Sequence, residues 1–394
     1  MRWLKTLILV APTLAVVAAQ APLIVPKDGE PIPNSYIVIL KPETVLSQVL
    51  TDVTSLLRPL APLTSLTSHA IGAFQALVGN FDNAALEVLR RSPFVDRVEQ
   101  DVKFKANAVQ EDAPWGLVRI SHRDNPIASG IREYVYDPNG GAGQVVYILD
   151  TGVNIKHEEF EGRARIGKTF YEGTGEDDLG HGTHVAGIVG GKTYGVAKKA
   201  EIVSVKVLGP DGSGSTSTII AGLEWVNKNA DKGKSVVNMS LGGPRSIALD
   251  LAVREVTNNN TIVVVAAGNS NFDSCFFSPA GSPGVISVAA TQEDDKRASY
   301  SNFGFLCTTL FAPGTQIPSA WIGSTTEVKT ISGTSMASPH VAGAVAVMLG
   351  REGPLTPSQV KKRLQDNATK NKVSDARSPN LLLFERGPEE NQAQ

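Results

Sequence analysis

Four side chains in this sequence have types and settings suited to acyl chemistry. Asp150 directly follows the apolar run Val145–Leu149 and begins Asp150-Thr151-Gly152. His181 opens His181-Gly182-Thr183-His184, at the head of a predicted apolar helix that starts at His184. Ser335 sits among small residues in Gly333-Thr334-Ser335-Met336-Ala337, ahead of the apolar stretch Val341–Met348. Asn269 closes Ala266-Ala267-Gly268-Asn269. A serine hydroxyl is a poor nucleophile at neutral pH and needs an adjacent base. Histidine can be that base, and a carboxylate can hold its tautomer and stabilise the imidazolium. An amide can donate to an oxygen that gains negative charge. Each residue alone has a plainer reading: a turn aspartate, a serine helix cap, an asparagine ending a strand.

Rival chemistries fit less well. His181 and His184 could share a metal, but no Cys or Glu stands at ligand spacing beside them. Gly191-Lys192-Thr193 resembles the end of a phosphate loop, but the first glycine of that motif would fall at Ala186. No G-x-S-x-G elbow surrounds Ser335, which argues against an α/β-hydrolase esterase.

The elements around these residues follow from hydrophobic patterning. Short, nearly continuous apolar runs at 144–149, 202–207, 235–239, 262–267 and 285–289 read as strands buried on both faces. Helical stretches at 184–190, 217–229 and 246–258 separate most of them. Strands alternating with helices imply an α/β fold with a parallel sheet, whose active residues lie at the carboxyl ends of strands. Upstream, 36–40, 74–78 and 95–104 read as strands, and 43–57 and 82–91 as helices, with Asp82 as a cap. That β-α-β-β-α-β-like order makes a small α+β domain over about 35–106. Residues 20–34 read as a loose leader, and 105–114 as a linker with its boundary near Asn107 and Ala108. No internal repeat or low-complexity tract is present.

Composition narrows the class. The 394 residues are 42% hydrophobic and 19% charged, which suits a globular chain. A net charge of −2 and no basic stripe speak against nucleic acid as a partner. Residues 1–19 carry Arg2 and Lys5, then an apolar run to Ala19, and read as a secretion signal. The run is too short for a membrane anchor. In a chain bound for an oxidising compartment the two cysteines, Cys275 and Cys307, could be a disulfide or two buried thiols.

Taken together, in the order Asp, His, Asn, Ser, these residues resemble the subtilisin-like serine proteases, whose chain order differs from those of chymotrypsin and the α/β-hydrolases. The likeness is strongest to the proteinase K-like group. Ala113-Pro114-Trp115-Gly116-Leu117 and Tyr194-Gly195-Val196-Ala197 carry it too, and it covers nearly the whole chain from Ala108.

The resemblance implies a secreted, extracellular serine endopeptidase with Asp150, His181 and Ser335 as catalytic residues and Asn269 as oxyanion donor. It implies a signal at 1–19, a propeptide at 20–107 acting as intramolecular inhibitor, and a catalytic domain at 108–394 that works as a monomer. Protein and peptide substrates would lie between Gly212-Ser213-Gly214 and Ser240-Leu241-Gly242. The first specificity pocket would be lined by Ala266, Ala267 and Gly268, which favour apolar or aromatic side chains. Thr216 stands where the group has a tyrosine, which makes the fourth subsite roomier; Val185 stands where it has a cysteine.

Cys275 and Cys307 do not occupy the disulfide positions of the proteinase K-like group, but their region resembles a bridge in a related bacterial branch, which implies that they pair. No cofactor is needed for chemistry. A structural calcium would use the carbonyls of Pro283 and Val285, with a neutral Thr309 or Thr308 in place of the group's aspartate. Asn259 and Asn367 are glycosylation candidates; Asn238 carries the same signal within a buried run. The alternative is a catalytically silent, peptide-binding homologue.

Overall fold

The computed structural model describes residues 20–26, 30–57, 66–103 and 108–386. The expected signal at 1–19 and the expected boundary at Asn107 lie outside the described residues. The chain divides into two compact units, 1–104 and 105–394.

The first unit is a five-stranded sheet in the order Leu23–Ile24, Val95–Lys103, Glu30–Leu40, Phe74–Asn80, Thr67–Ile71. Helices Leu46–Leu57 and Asn83–Arg91 accompany it. The second helix starts where the Ala85 N–H donates to Asp82 Oδ1 at 2.8 Å, and it ends on Arg90 and Arg91. That charge order suits the helix dipole. Its buried Ala85, Leu86 and Leu89 pack with Val38, Leu77 and Val98.

Two details differ from the sequence reading. The strand Thr67–Ile71 was not foreseen, because all five of its residues are exposed and it carries no apolar alternation. The expected loose leader is also partly ordered: Leu23 and Ile24 pair in parallel with Val98 and Glu99, and Ala21 is buried. The prolines that suggested a loose leader are accommodated by a break in pairing between Pro31 and Tyr36.

The second unit is built on a nine-stranded sheet. Its order is Thr369–Lys370, Leu381–Leu382, Leu310–Pro313, Ile286–Thr291, Ile262–Ala266, Ser235–Met239, Val145–Asp150, Glu201–Lys206, Ala164–Thr169. The pairs from Ala164–Thr169 across to Leu381–Leu382 are parallel. Alternate residues of the Val145–Asp150 strand enter different cores. Val146 and Ile148 join Val185, Val189 and Val345 on one face; Tyr147 and Leu149 join Leu223, Val226 and Val253 on the other. Apolar partners on both faces are why the strand reads as an unbroken apolar run. The strand lies where the chain order reverses, with later strands added on its other side, so its carboxyl end opens into the crevice expected of such a sheet.

Candidate active site

Asp150 is the last residue of its strand and is fully buried. His181 is the first residue of the helix His181–Gly190, three residues earlier than the pattern suggested. Strand end and helix start touch because glycines allow it. A Cβ on Gly182 would lie 2.0 Å from the Gly152 carbonyl oxygen, and Gly152 itself has φ +113°. Across this junction His181 Nδ1 donates to Asp150 Oδ1 at 2.7 Å. A carboxylate only accepts, so the proton is on Nδ1 and Nε2 is the free basic nitrogen. Burial opposes charge on the ring, but Asp150, its hydrogen bond and Asp177 outweigh it and hold the His181 pKa above its ordinary value.

Ser335 is the second residue of the long helix Thr334–Glu352. An N–H in this first turn has no partner inside the helix, which leaves it available to an anion. Pro339 lies four residues on and has no N–H for the Ser335 carbonyl. Ser240 Oγ supplies that bond at 2.8 Å. Behind Ser240, Asn238 Nδ2 donates to its Oγ at 2.9 Å, and Ser338 Oγ donates to Asn238 Oδ1 at 2.7 Å. The Ser335 hydroxyl donates to the Ser240 carbonyl at 3.1 Å. A hydrogen bond from it to His181 is not formed among the described residues; such bonds tighten when substrate arrives.

Asn269 is exposed, and its Oδ1 accepts from the Thr334 N–H and from Thr334 Oγ1, both at 2.9 Å. A backbone N–H only donates, so Oδ1 must face Thr334 and Nδ2 is left to donate elsewhere. Thr334 Oγ1 in turn accepts from the Gly268 N–H at 3.1 Å.

Two cavities flank these residues. One of about 480 Å³ is lined by His181, Gly212, Ser213, Gly214, Thr216 and Ser240, with Leu208, Ile219 and Leu249 as an apolar wall. The other, of about 310 Å³, is lined by Ala266, Ala267, Gly268, Asn269 and Ser335. Leu241 and Gly242 border both. Pro244, Phe277 and Ala280 also line the second cavity and were not foreseen. Pro244 and Phe277 reach it through a two-stranded ribbon that pairs them, a contact with no local sequence signal. Thr334, Asn238 and Ser338 were missed for the same reason.

Cys275 and Cys307 are joined, with an S–S distance of 2.04 Å. Asn238 is fully buried and Asn259 exposed. Asn367 is held on both sides of its amide: Arg123 donates to its Oδ1 at 3.0 Å, and its Nδ2 donates to the Phe384 carbonyl at 3.3 Å.

The expected calcium ligands do not fit a cation. Lys361 Nζ donates to the Val285 carbonyl at 3.3 Å, so a positive charge already sits on that oxygen. Thr309 Oγ1 accepts from the Ser287 N–H, and Thr308 Oγ1 is bonded to Ser274 Oγ. A hard divalent cation wants six to eight oxygens and prefers carboxylates. Among the described residues no group of three or more His, Cys, Asp or Glu could hold a metal. On the lysine contact and the engaged threonine hydroxyls, the residues expected to hold calcium do not fit it.

A parallel α/β sheet with a buried Asp bonded to a part-buried His at its switch point and a serine in a helix's first turn defines a class of serine hydrolase. Residues 141–382 match the model of the Subtilase family. A subtilisin-like protease of Coccidioides posadasii is 44% identical over 82% of this chain and 71% of its own length. An extracellular serine proteinase of a Thermus species is 45% identical over 93% of this chain and 92% of its own. The crystal structure of a cold-adapted subtilisin-like serine proteinase matches with TM-score 0.66 and 48% identity, over 70% of this chain and 98% of that one. The chain belongs to the subtilase family and is a serine endopeptidase. No helix among the described residues is long and apolar enough to cross a membrane.

Proposed function

We propose that Asp150, His181 and Ser335 are the catalytic residues of a secreted endopeptidase that matures from a zymogen. The observation that carries the reading is the 2.7 Å bond from His181 Nδ1 to the buried Asp150, which leaves Nε2 as base. The Ser335 hydroxyl swings from the Ser240 carbonyl to Nε2 and gives up its proton as its oxygen attacks the peptide carbonyl. The tetrahedral oxyanion is met by Asn269 Nδ2 and the Ser335 N–H. His181 then passes the proton to the leaving amine, and water repeats the sequence on the acyl-enzyme.

The peptide adds as a strand between Gly212–Gly214 and Ser240–Gly242. Its first side chain enters the 310 Å³ cavity of Ala266, Ala267, Gly268, Phe277 and Ala280. Those walls carry no charge, which supports an apolar or aromatic preference. Thr216 leaves the fourth subsite open. The unit before residue 105 acts as an inhibitory propeptide, residues 1–19 as signal, and cleavage falls near Asn107–Ala108, freeing a monomeric 108–394 enzyme. Of the glycosylation candidates, Asn259 is the accessible one.

The test compares wild type with Ser335→Ala on casein and an aromatic peptide amide, with the product N-termini sequenced. Wild type should cleave and begin near Ala108; Ser335→Ala should stay full length and inert. A wild type that neither matures nor cleaves would favour the silent peptide-binding alternative.

A further inference from the structure

The loop before His181 contains a residue that the mechanism above does not use. Asp177 accepts five hydrogen bonds. Its Oδ1 takes Thr151 Oγ1 at 2.8 Å, the Leu179 N–H at 3.1 Å and the Gly180 N–H at 2.9 Å. Its Oδ2 takes the Thr183 N–H at 2.8 Å and Thr183 Oγ1 at 2.6 Å. Thr183 is the third residue of the His181 helix, so the carboxylate caps the turn that carries the imidazole. Thr151 is the residue after Asp150, and its Oγ1 also accepts the Gly182 N–H at 2.9 Å. One hydroxyl thus binds the loop carboxylate and the helix at once. The Thr151 carbonyl is taken by Lys206 Nζ, which pairs with Asp178 at 2.7 Å. Two consecutive aspartates therefore hold Thr151 by both ends.

We propose that Asp177, acting through Thr151, is a positioning residue that sets both the registry of His181 against Asp150 and the electrostatic field at the imidazole. The proposal rests on the reading of His181 as the base. Registry follows from the bonds: beside the Asp–His bond and the bond from the Asn154 N–H to Thr183 Oγ1, Thr151 and Asp177 tie the Asp150 strand end to the first turn of the His181 helix. The field follows from charge. After the opposing effect of burial, Asp150 and then Asp177 favour the protonated ring.

The other titratable groups near the ring are already engaged or neutral. Asp178 is paired with Lys206 from the neighbouring strand. His184, one turn along the helix, is buried and held neutral. His340, from the Ser335 helix, is turned to the Met336 carbonyl. Asp177 is left as the second negative charge acting on the base.

The test measures kcat and KM from pH 5 to 9 for the mature enzyme, and for Asp177→Asn, Thr151→Val and Thr151→Ser, with thermal midpoints beside them. Asp177→Asn should move the acid limb of kcat/KM to lower pH, because one anion that favours the imidazolium is gone. Thr151→Val keeps every charge; it should lower kcat about ten- to hundredfold at unchanged KM, without moving the limb. Thr151→Ser restores the hydroxyl and should restore kcat. An Asp177→Asn profile that superimposes on wild type, or a Thr151→Ser enzyme as slow as Thr151→Val, overturns the proposal. If wild type shows no acid limb, or Ser335→Ala retains activity, it is the triad reading that fails instead.

Discussion

Ser240 and Ser335 exchange hydrogen bonds: the hydroxyl of each donates to the backbone carbonyl of the other, at 2.8 Å from Ser240 and 3.1 Å from Ser335. The first bond exists because Pro339 cannot bond the Ser335 carbonyl, so a residue of the cleft wall completes the helix of the proposed nucleophile. Ser240→Ala leaves that carbonyl and Asn238 Nδ2 short of partners in a buried setting. The expected cost is about 1–3 kcal/mol of stability. It should come with a fall in kcat at nearly constant KM, because in the proposed binding mode substrate meets the Ser240 backbone and not its hydroxyl. Denaturant melts and steady-state kinetics check it; unchanged kcat would mean that the exchange does not position Ser335.

Thr334 orients the amide of Asn269 with two donors. Asn269→Ala should lower kcat by about 10²–10³, a magnitude measured on a member of this same family. Thr334→Val removes the hydroxyl and keeps the N–H, so it should cost less, about tenfold. In the double variant the threonine change should add little, since its effect passes through Asn269. Full additivity would separate the two residues.

Two buried histidines make the fold acid-sensitive. Burial lowers both His184 and His340 to a pKa of about 4. His184 Nε2 donates to the carbonyls of Ile317 and Lys329, while its Nδ1 is buried without a partner to welcome a second proton. The unfolded chain takes up these protons near pH 6.5 and the folded chain only near pH 4. Stability is therefore full above about pH 6.5 and falls as pH drops toward 4, by up to about 1.4 kcal/mol per unit for each histidine. His181 contributes with the opposite sign: its raised pKa adds stability below its unfolded value, and that stability is lost as pH rises through the folded value. Melts of Ser335→Ala, chosen because the proposed nucleophile is removed, should show a net loss between pH 7 and 4.5. His340→Gln should flatten the slope; an unchanged slope would count against the assignment.

Lys361 gives a prediction about metal. Chelator should leave the thermal midpoint nearly unchanged, whereas Lys361→Met should lower it equally with calcium or chelator. Lys361→Met with Thr309→Asp, which exchanges the ammonium for a carboxylate, should create a calcium-dependent rise. A wild-type midpoint that collapses in chelator would show that a cation holds this fold after all.

Much of the architecture was legible because its signals are local. The runs around Val146, Val203, Val236 and Val264 are short and apolar on both faces, as a strand between two helical layers requires. Asp150, His181, Asn269 and Ser335 were legible because each stands at an element boundary in a family-specific order. The helix starting at His181 rather than His184 was not, since its N-cap residue is Gly180 and the carboxylate that caps the turn, Asp177, stands further upstream. The exposed strand Thr67–Ile71 escaped for want of an apolar face.

By itself the sequence determined the alternation of strands and helices, the candidate catalytic residues and the uncharged first pocket, all of which depend on residue type and near neighbours. Only the tertiary structure decided what supports them: Asp177 on Thr151, Thr334 on Asn269, Ser240 on Ser335, and Lys361 on the carbonyl expected to hold calcium. The physical reason is distance along the chain. These contacts join residues 26 to 95 positions apart through single polar atoms, and a hydrogen bond of that kind leaves no periodicity to read.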